Sequence, residues 1–208
     1  AWFPPAQRGR AAGVAVSGSS VALIATGLIV PPLLAQLPPS GWRNCWMLYS
    51  AVAIVVAVLA CLLLRDAPNA SAPVETSKHA WTALYRAPAV WHLGLVYVAF
   101  GFSYMIYLTF FKLYLTSELH FSGAWAGNLF MLMGACSLLC GVLWGAASDR
   151  VGRRAALIGV FLVHTAAFAL FALADPRALI ASAVLFGLSA WSIPAIMAAA
   201  CGDLLGAR

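Results

Sequence analysis

Asp149 and the arginines around it are the residues of this chain whose types and spacing best support specific chemistry. They lie in a short polar stretch between two long apolar runs, Gly145-Ala146-Ala147-Ser148-Asp149-Arg150-Val151-Gly152-Arg153-Arg154. A carboxylate this close to several guanidinium groups can form charge-assisted hydrogen bonds with them. Gly152 permits a positive φ, which other residues adopt only at a cost, so we expect a tight turn there.

Few other groups are placed for chemistry inside an apolar run. His164 is the only ionisable side chain deep within one, and it is either a proton-binding site or, as we favour, a hydrogen-bonded structural histidine. None of the acidic residues lies in the middle of a run: Asp66, Glu75, Glu118, Asp149, Asp175 and Asp203. Cys136 and Cys140 share one helix face but bring no further ligands, so we expect no metal site and no cofactor.

The composition identifies the environment that must hold these residues. The chain has 208 residues, of which 63% are hydrophobic and only 9% are charged. A soluble domain carries about 25% charged residues, so this chain cannot cover a water-facing surface. Its net charge of +6 is spread over the ends of the apolar runs and does not cluster on one face, which excludes a nucleic-acid partner. The expected partner is the lipid bilayer.

The apolar runs predict an all-α, polytopic membrane protein. A membrane span needs about 20 apolar residues. Six runs of this kind can be distinguished, at about residues 13–34, 45–64, 90–111, 124–147, 155–174 and 178–201. Residues 65–88 form a long polar segment between the second and third spans, and their composition predicts a linker.

Small residues and prolines predict how the spans pack. In the fourth span, glycines lie within an arc of roughly 40°, which predicts close contact with another helix along its length: Gly123, Gly127, Gly134, Gly141 and Gly145. Gly18 and Gly27 predict close packing of the first span, which Pro31 and Pro32 should end or kink. Pro194 should kink the last span.

The polar stretch also carries a family resemblance. The pattern G-x-x-x-D-R-x-G-R-R resembles the signature loop of the major facilitator superfamily of secondary transporters. In that family the loop joins helices 2–3 and, in a second copy, helices 8–9. Gly18, Gly27 and Pro32 are similar to a fifth-helix motif of facilitator antiporters, from which Pro31 and Ala35 depart. The resemblance implies a bundle of twelve helices, of which this chain would cover helices 5 to 10.

The resemblance also implies a domain organisation. Residues 1–64 would end the N-terminal half, 65–88 would be the cytoplasmic linker, and 89–208 would belong to the C-terminal half. We expect a longer natural chain whose helices 1–4 and 11–12 complete the bundle. The positive-inside rule places both ends of this segment in the cytoplasm, in a multi-pass protein of the bacterial inner membrane. Nine of the twelve Lys and Arg residues then lie inside: Arg8, Arg10, Arg65, Lys78, Arg86, Arg150, Arg153, Arg154 and Arg208.

The function that the resemblance implies is transport, not enzymatic catalysis. The chain would move a small organic solute by alternating access, driven by a proton or ion gradient, with proton-coupled antiport as one form. The binding site of such a transporter lies at mid-membrane between the halves. Candidate cavity residues are Ser20, Tyr104, Tyr107, Asn128, Trp191 and Ser192. We expect Asp149 to contact Arg8, Arg10 or the start of the first span when the cytoplasmic side is closed.

Two alternatives stay open at this point. One is a truncated or degenerate membrane protein of this family that does not transport. The other is a six-helix intramembrane serine protease in which Ser19 or Ser20 forms a dyad with His164. The chain contains no G-x-S-G nucleophile turn, and the protease hypothesis leaves the Asp149 pattern unexplained.

Overall fold

A computed structural model describes residues 8–36, 40–64 and 85–205, without the side chains of residues 8–13, 16, 36, 204 and 205. Its helices are α1 Arg8–Gln36, α2 Gly41–Leu63, α3 Pro88–Leu113, α4 Gly123–Val151, α5 Arg153–Ala172, α6 Pro176–Ser189 and α7 Ser192–Leu205. Six stretches are long and apolar enough to span a membrane: Ser17–Ala35, Gly41–Leu63, Pro88–Glu118, Gly123–Val151, Arg153–Ala172 and Pro176–Asp203. The prediction of an all-α polytopic membrane protein is confirmed.

The ends of the helices follow local chemistry. The Ser122 hydroxyl caps α4 by accepting a hydrogen bond from the Trp125 amide at 3.2 Å. The Asp175 carboxylate caps α6 by accepting hydrogen bonds from the amides of Arg177 and Ala178. Side-chain oxygens at this position satisfy amide groups that have no partner within the helix.

Of the two outcomes predicted for Pro31 and Pro32, an end of the first span is wrong, and a kink stays a prediction. Helix α1 continues through Pro31 and Pro32 to Gln36, and one π-helical turn, Tyr114–Glu118, extends α3. Proline has a φ that suits a helix, so its cost is the lost amide and the clash with the preceding turn. A Cβ atom on Gly127 of α4 would lie 3.6 Å from the Pro31 ring, so this part of α1 is held by packing.

The core forms between α3, α4, α5 and the pair α6–α7. Aromatic residues on one face of α3 point into it: Phe100, Tyr107 and Phe111 are buried. The Tyr107 ring stacks on Phe186 of α6, with centroids 4.0 Å apart. Helix α1 packs most extensively against α4, whereas α2 contacts α1 and exposes nearly all of its apolar side chains.

The segment between α2 and α3 bears on the predicted division into halves. Residues 65–84 of the predicted linker lie outside the described residues. Helices α1 and α4 come from opposite sides of that segment and are in contact. The predicted halves therefore meet along these two helices.

Candidate functional site

The polar stretch between α4 and α5 is a turn of one residue. Helix α4 ends at Val151 and α5 begins at Arg153, and Gly152 between them has a φ of 90°. This conformation is strained for residues with a side chain, so the prediction of a positive φ at Gly152 is confirmed. The turn brings the last residues of α4 next to the first residues of α5.

Arg153 is the centre of a polar network at this turn. Its guanidinium group forms an ion pair with Asp149 one turn earlier and donates a hydrogen bond to the hydroxyl of Ser148, which is buried. Its Nε donates to Oδ2 of Asp203 at 3.0 Å. Because Asp203 lies near the end of α7, the network joins three helices at one end of the bundle.

The signs of these charges oppose the helix dipoles. Asp149 and Asp203 lie near the C-terminal ends of their helices, and Arg153 begins α5. The dipole favours the reverse arrangement, acids at N-termini and bases at C-termini. Each charge therefore destabilises its own helix, and only their pairing across helices compensates.

The contact between Arg153 and Asp203 is a weak one. The side chains of Arg153 and Asp149 are about one-fifth exposed, and that of Asp203 is 62% exposed. Solvent-exposed ion pairs contribute at most about 1 kcal/mol. The network can hold α4, α5 and α7 together and still open without a large cost.

Among the side chains that the structure describes, the other basic residues near the turn do not join this network. Arg150 and Arg154 are exposed. The side chains of Arg8 and Arg10 lie outside the described residues, so the expected contact of Asp149 with them stays a prediction. Sequence reasoning missed Asp203 as a partner, although its predicted place at the same membrane face as Asp149 was the available signal.

The glycines of α4 face α1 where the structure describes both. A Cβ atom on Gly134 would lie 3.1 Å from the Ile24 amide nitrogen, and one on Gly27 would meet the side chain of Met131. Gly141 and Gly145 are buried, whereas a Cβ atom on Gly123 would meet nothing within 4 Å. Part of the predicted stripe therefore forms a close helix contact.

Gly18 does not share this contact. It is exposed, and a Cβ atom there would meet nothing within 4 Å. Gly27 follows Gly18 by nine positions, and at 100° per residue the two lie on opposite sides of the helix. The prediction that Gly18 packs closely is therefore wrong for the described part of the chain.

Most of the predicted cavity residues are buried inside the bundle. Ser20, Tyr107, Trp191 and Ser192 are at most 6% exposed. Tyr107 nevertheless borders a groove of about 270 Å³ between α3 and α5. Ser192 donates a hydrogen bond to the Ser189 carbonyl at 2.6 Å, and Ser20 has no hydrogen-bond partner among the described residues. The sequence pattern did not distinguish a cavity wall from the interior of the helix bundle.

Tyr107 has a structural partner that the sequence did not predict. Its hydroxyl lies 2.7 Å from the Ser182 hydroxyl, which donates to the Ala167 carbonyl at 2.7 Å. The single Ser182 hydrogen is thus used, so Tyr107 donates to Ser182. The chain of hydrogen bonds joins α3, α6 and α5.

Tyr104 and Asn128 keep some accessible surface. Tyr104 is half-buried against Trp191, with ring centroids 5.8 Å apart, and Asn128 is exposed on α4.

A cavity of about 390 Å³ lies between α3 and α7, and its wall includes Tyr97, Pro194 and Met197. A larger one of about 680 Å³ lies between α3, α5 and α7 and reaches Arg153 and Asp203.

Neither a metal centre nor the protease dyad is formed by the described residues. Within 8–36, 40–64 and 85–205, no three His, Cys, Asp or Glu side chains come together as metal ligands would. The His164 ring pairs with Ser189 at 3.1 Å, and neither Ser19 nor Ser20 is its hydrogen-bond partner. The hypothesis of a Ser–His dyad has no support in this geometry.

Known proteins similar to this chain are transporters. It is 27% identical to the probable sulfoacetate transporter SauU of Cupriavidus necator, over 74% of this chain and 39% of that protein. It is 26% identical to the probable nitrate/nitrite transporter NarK2 of Mycobacterium tuberculosis, over 99% of this chain and 54% of that protein. The chain thus spans about half or less of the length of these relatives.

The family comparison covers the whole sequence. No solved structure matches the chain significantly. The profile of the Major Facilitator Superfamily matches residues 1–208. Together with the six spans and the turn at Gly152, this match shows that the chain belongs to the Major Facilitator Superfamily of membrane transporters.

Proposed function

We propose that the protein is a secondary active transporter that moves a small anion by alternating access. The observation that carries this proposal is the network of Asp149, Arg153 and Asp203, which joins the ends of α4, α5 and α7. In one state of the cycle the network holds these ends together. In the other state the exposed pair of Arg153 and Asp203 separates, and the ends of the helices move apart.

The proposed solute class rests on similarity to known proteins, and the cavity bears only on the size of the solute. The names of two relatives specify anions, sulfoacetate and nitrate or nitrite, which supports an anionic solute for this chain. The cavity of about 390 Å³ between α3 and α7 is within the range that small-molecule sites occupy. We place the charged network at the cytoplasmic face of the bacterial inner membrane, with both ends of this segment on that side.

A proton gradient is the proposed source of energy. The solute would exchange with protons, and helices outside this sequence would complete the central cavity. Right-side-out and inverted vesicles containing the full-length protein are assayed for sulfoacetate and nitrate fluxes, with a pH gradient imposed in either direction. Gradient-dependent flux of either anion supports the proposal. Absence of flux for both anions in both orientations contradicts the proposed solute class.

Asp149→Asn tests the role of the network. The substitution keeps the size of the side chain and removes the charge that pairs with Arg153. We expect the equilibrium between the closed and open cytoplasmic side to shift roughly two- to fivefold, which is the range for one exposed ion pair. The measurements are transport rate and a spin-label distance between the ends of α4 and α7.

The matched control for Asp149→Asn is Asp175→Asn. Asp175 caps α6 at the opposite end of the bundle, and asparagine caps helices as well as aspartate does. We expect this control to keep both the transport rate and the label distance. Unchanged transport and unchanged distance in Asp149→Asn would show that the network is not a gate.

A further inference from the structure

The sixth span is interrupted near its middle. Helix α6 ends at Ser189, α7 begins at Ser192, and Ala190 and Trp191 lie between them. Pro194 has no amide hydrogen, so it cannot bond to the Ala190 carbonyl one turn earlier. The sequence predicted a kink here, and the structure has a break of two residues.

The break leaves backbone carbonyls without partners in their own helix. The last four carbonyls of a helix lack such partners, and each unsatisfied group inside a membrane is costly. At this break the Leu188 carbonyl accepts a hydrogen bond from Nε1 of Trp144 on α4, at 2.8 Å. A side chain from a neighbouring span therefore supplies the donor that the broken helix lacks.

His164 of α5 holds the same break from another side. Its Nδ1 lies 3.1 Å from the Ser189 hydroxyl, which is itself positioned to donate to the Phe186 carbonyl at 3.3 Å. We assign the tautomer in which Nδ1 carries the proton and donates to Ser189, because the hydroxyl then keeps its single hydrogen for the Phe186 carbonyl. Nε2 then has no hydrogen, has no partner among the described residues, and lies in a ring surrounded by Phe168 and Phe186.

The surroundings of His164 contain no described charge that would retain a proton. The rings packed on it are Phe100 of α3, Phe168 of α5 and Phe186 of α6. The nearest titratable side chains are Tyr104 and Tyr107, one ring further away, and the Tyr107 hydroxyl is bonded to Ser182. The site suits a neutral imidazole that donates one hydrogen bond.

The indole ring of Trp144 is held in place by its packing against Gly159 of α5. A Cβ atom on Gly159 of α5 would lie 3.2 Å from Cζ3 of the Trp144 ring. Because this contact is already tight, a larger residue at position 159 would push the indole by at least a few tenths of an ångström. Gly159 thus leaves the room in which Trp144 reaches the Leu188 carbonyl.

We propose that Trp144 and His164 are positioning residues, which hold the break in the sixth span and so set the angle at which α7 closes the cavity beside α3. Pro194 and Met197, just after the break, line that cavity of about 390 Å³. Losing either hydrogen bond lets α7 swing about Ala190 and Trp191. The effect on solute binding rests on the proposed function, whereas the effect on the angle of α7 does not.

Cys140 provides a reporter that needs no solute. Its thiol is fully buried on α4, which packs against both α6 and α7. In the full-length protein, all other cysteines are replaced by alanine, and the rate at which a methanethiosulfonate reagent labels Cys140 is measured. Opening of the break exposes this thiol.

Trp144→Phe keeps an aromatic ring and removes the donor. We expect Cys140 to be labelled roughly two- to tenfold faster, the range for the loss of one hydrogen bond. Gly159→Ala, which pushes the indole by a few tenths of an ångström, should change the labelling rate in the same direction but by less. Trp125→Phe is the control, because Trp125 stacks on Phe121 near the start of α4, and its labelling rate should be unchanged.

Two variants, His164→Asn and His164→Leu, distinguish a positioning role of His164 from a role in carrying a proton. Asparagine keeps an N–H group near the position of Nδ1 and cannot take up a proton, so we expect labelling as in the wild type. Leucine has no donor, so its labelling should be fast. The positioning role of His164 is contradicted if Cys140 is labelled as fast in His164→Asn as in His164→Leu. The positioning role of Trp144 is contradicted if Trp144→Phe and Gly159→Ala both leave the labelling rate of Cys140 at the wild-type value.

The solute part has its own measurement. Sulfoacetate and nitrate fluxes are measured in the same variants, and we expect Trp144→Phe and His164→Leu to raise the KM with a smaller effect on kcat. Faster labelling with an unchanged KM would separate the hinge from the cavity and overturn the link between them. Absence of flux in the wild type contradicts the proposed solute and leaves the labelling result valid.

Discussion

At the scale of single residues, hydroxyl groups inside the spans bond to carbonyls and to each other. Ser137, Ser182 and Ser192 each donate to a backbone carbonyl at 2.6–2.7 Å. Inside a bilayer such bonds are worth about 0.6 kcal/mol on average, because the unfolded chain in lipid also finds partners. Tyr107 belongs to this group, although its type and depth also fit a substrate contact.

Tyr107→Phe distinguishes these two roles. The substitution removes the bond to Ser182 and keeps the ring stacked on Phe186. We expect the free energy of unfolding to fall by about 1 kcal/mol and the KM for the transported anion to stay unchanged. Unfolding by a denaturing detergent gives the first quantity and vesicle flux the second.

A double-mutant cycle with Ser182→Ala provides the control for Tyr107→Phe. Because the two hydroxyls bond to each other, the two changes together should cost less than the sum of the single changes. A large rise in KM for Tyr107→Phe with no loss of stability would show that Tyr107 contacts the solute.

At the scale of elements, α1 and α4 approach closely because small residues face each other. Gly27 lies against Met131, and Gly134 lies against Ile24. Lipid gives no hydrophobic driving force between helices, so close packing of this kind carries their association. The contact matters for transport because the two helices belong to different predicted halves.

Gly134→Ala tests the tightness of this contact. The added Cβ would lie 3.0–3.1 Å from atoms of Leu23 and Ile24, so the helices must separate slightly. We expect a cost of about 1–3 kcal/mol, as for other overpacked sites, measured as a lower thermal midpoint of the full-length protein in detergent.

Gly101→Ala is the matched control for Gly134→Ala. It lies inside α3, where an added Cβ would meet nothing within 4 Å. Both variants gain helix propensity equally, so their difference reports packing alone. Equal midpoints for the two variants would contradict a tight contact of α1 with α4.

The sequence predicts the elements well because apolar length is a local property. All six spans were found, and their ends differ by a few residues, since helices such as α4 continue past the apolar run into charged residues. The turn at Gly152 was predictable for the same reason, because a positive φ depends on the residue type at that one position. Gly134 was also predictable, because its periodic neighbours define one face of α4.

The partners of the buried polar side chains were not predictable in the same way. Ser182 and Ser189 look like any other serines in an apolar run. Whether they meet Tyr107 and His164 depends on how each helix is rotated about its axis, which is set by all its neighbours together. For the same reason Trp144, which supports the break, gave no signal in the sequence.

At the scale of the whole molecule, the chain on either side of residues 65–84 is joined by contacts as well as by the backbone. Helix α1 packs more extensively on α4 than on α2, its neighbour in sequence. We therefore expect the full-length gene, split between codons 65 and 84, to yield two pieces that copurify. Gly134→Leu in the split protein should reduce recovery of the complex. Separation of the unmodified pieces would contradict this interface.

The single-residue turn at Gly152 also limits how this protein can vary in length. With no other residue between α4 and α5, an insertion near the start of α5 cannot be absorbed by a loop. One added residue moves the rest of α5 by about 1.5 Å and turns it by about 100°. Arg153 or His164 would then lose its partner. Homologous chains are expected to keep the number of residues between Asp149 and His164 constant, and to place their insertions and deletions between α2 and α3.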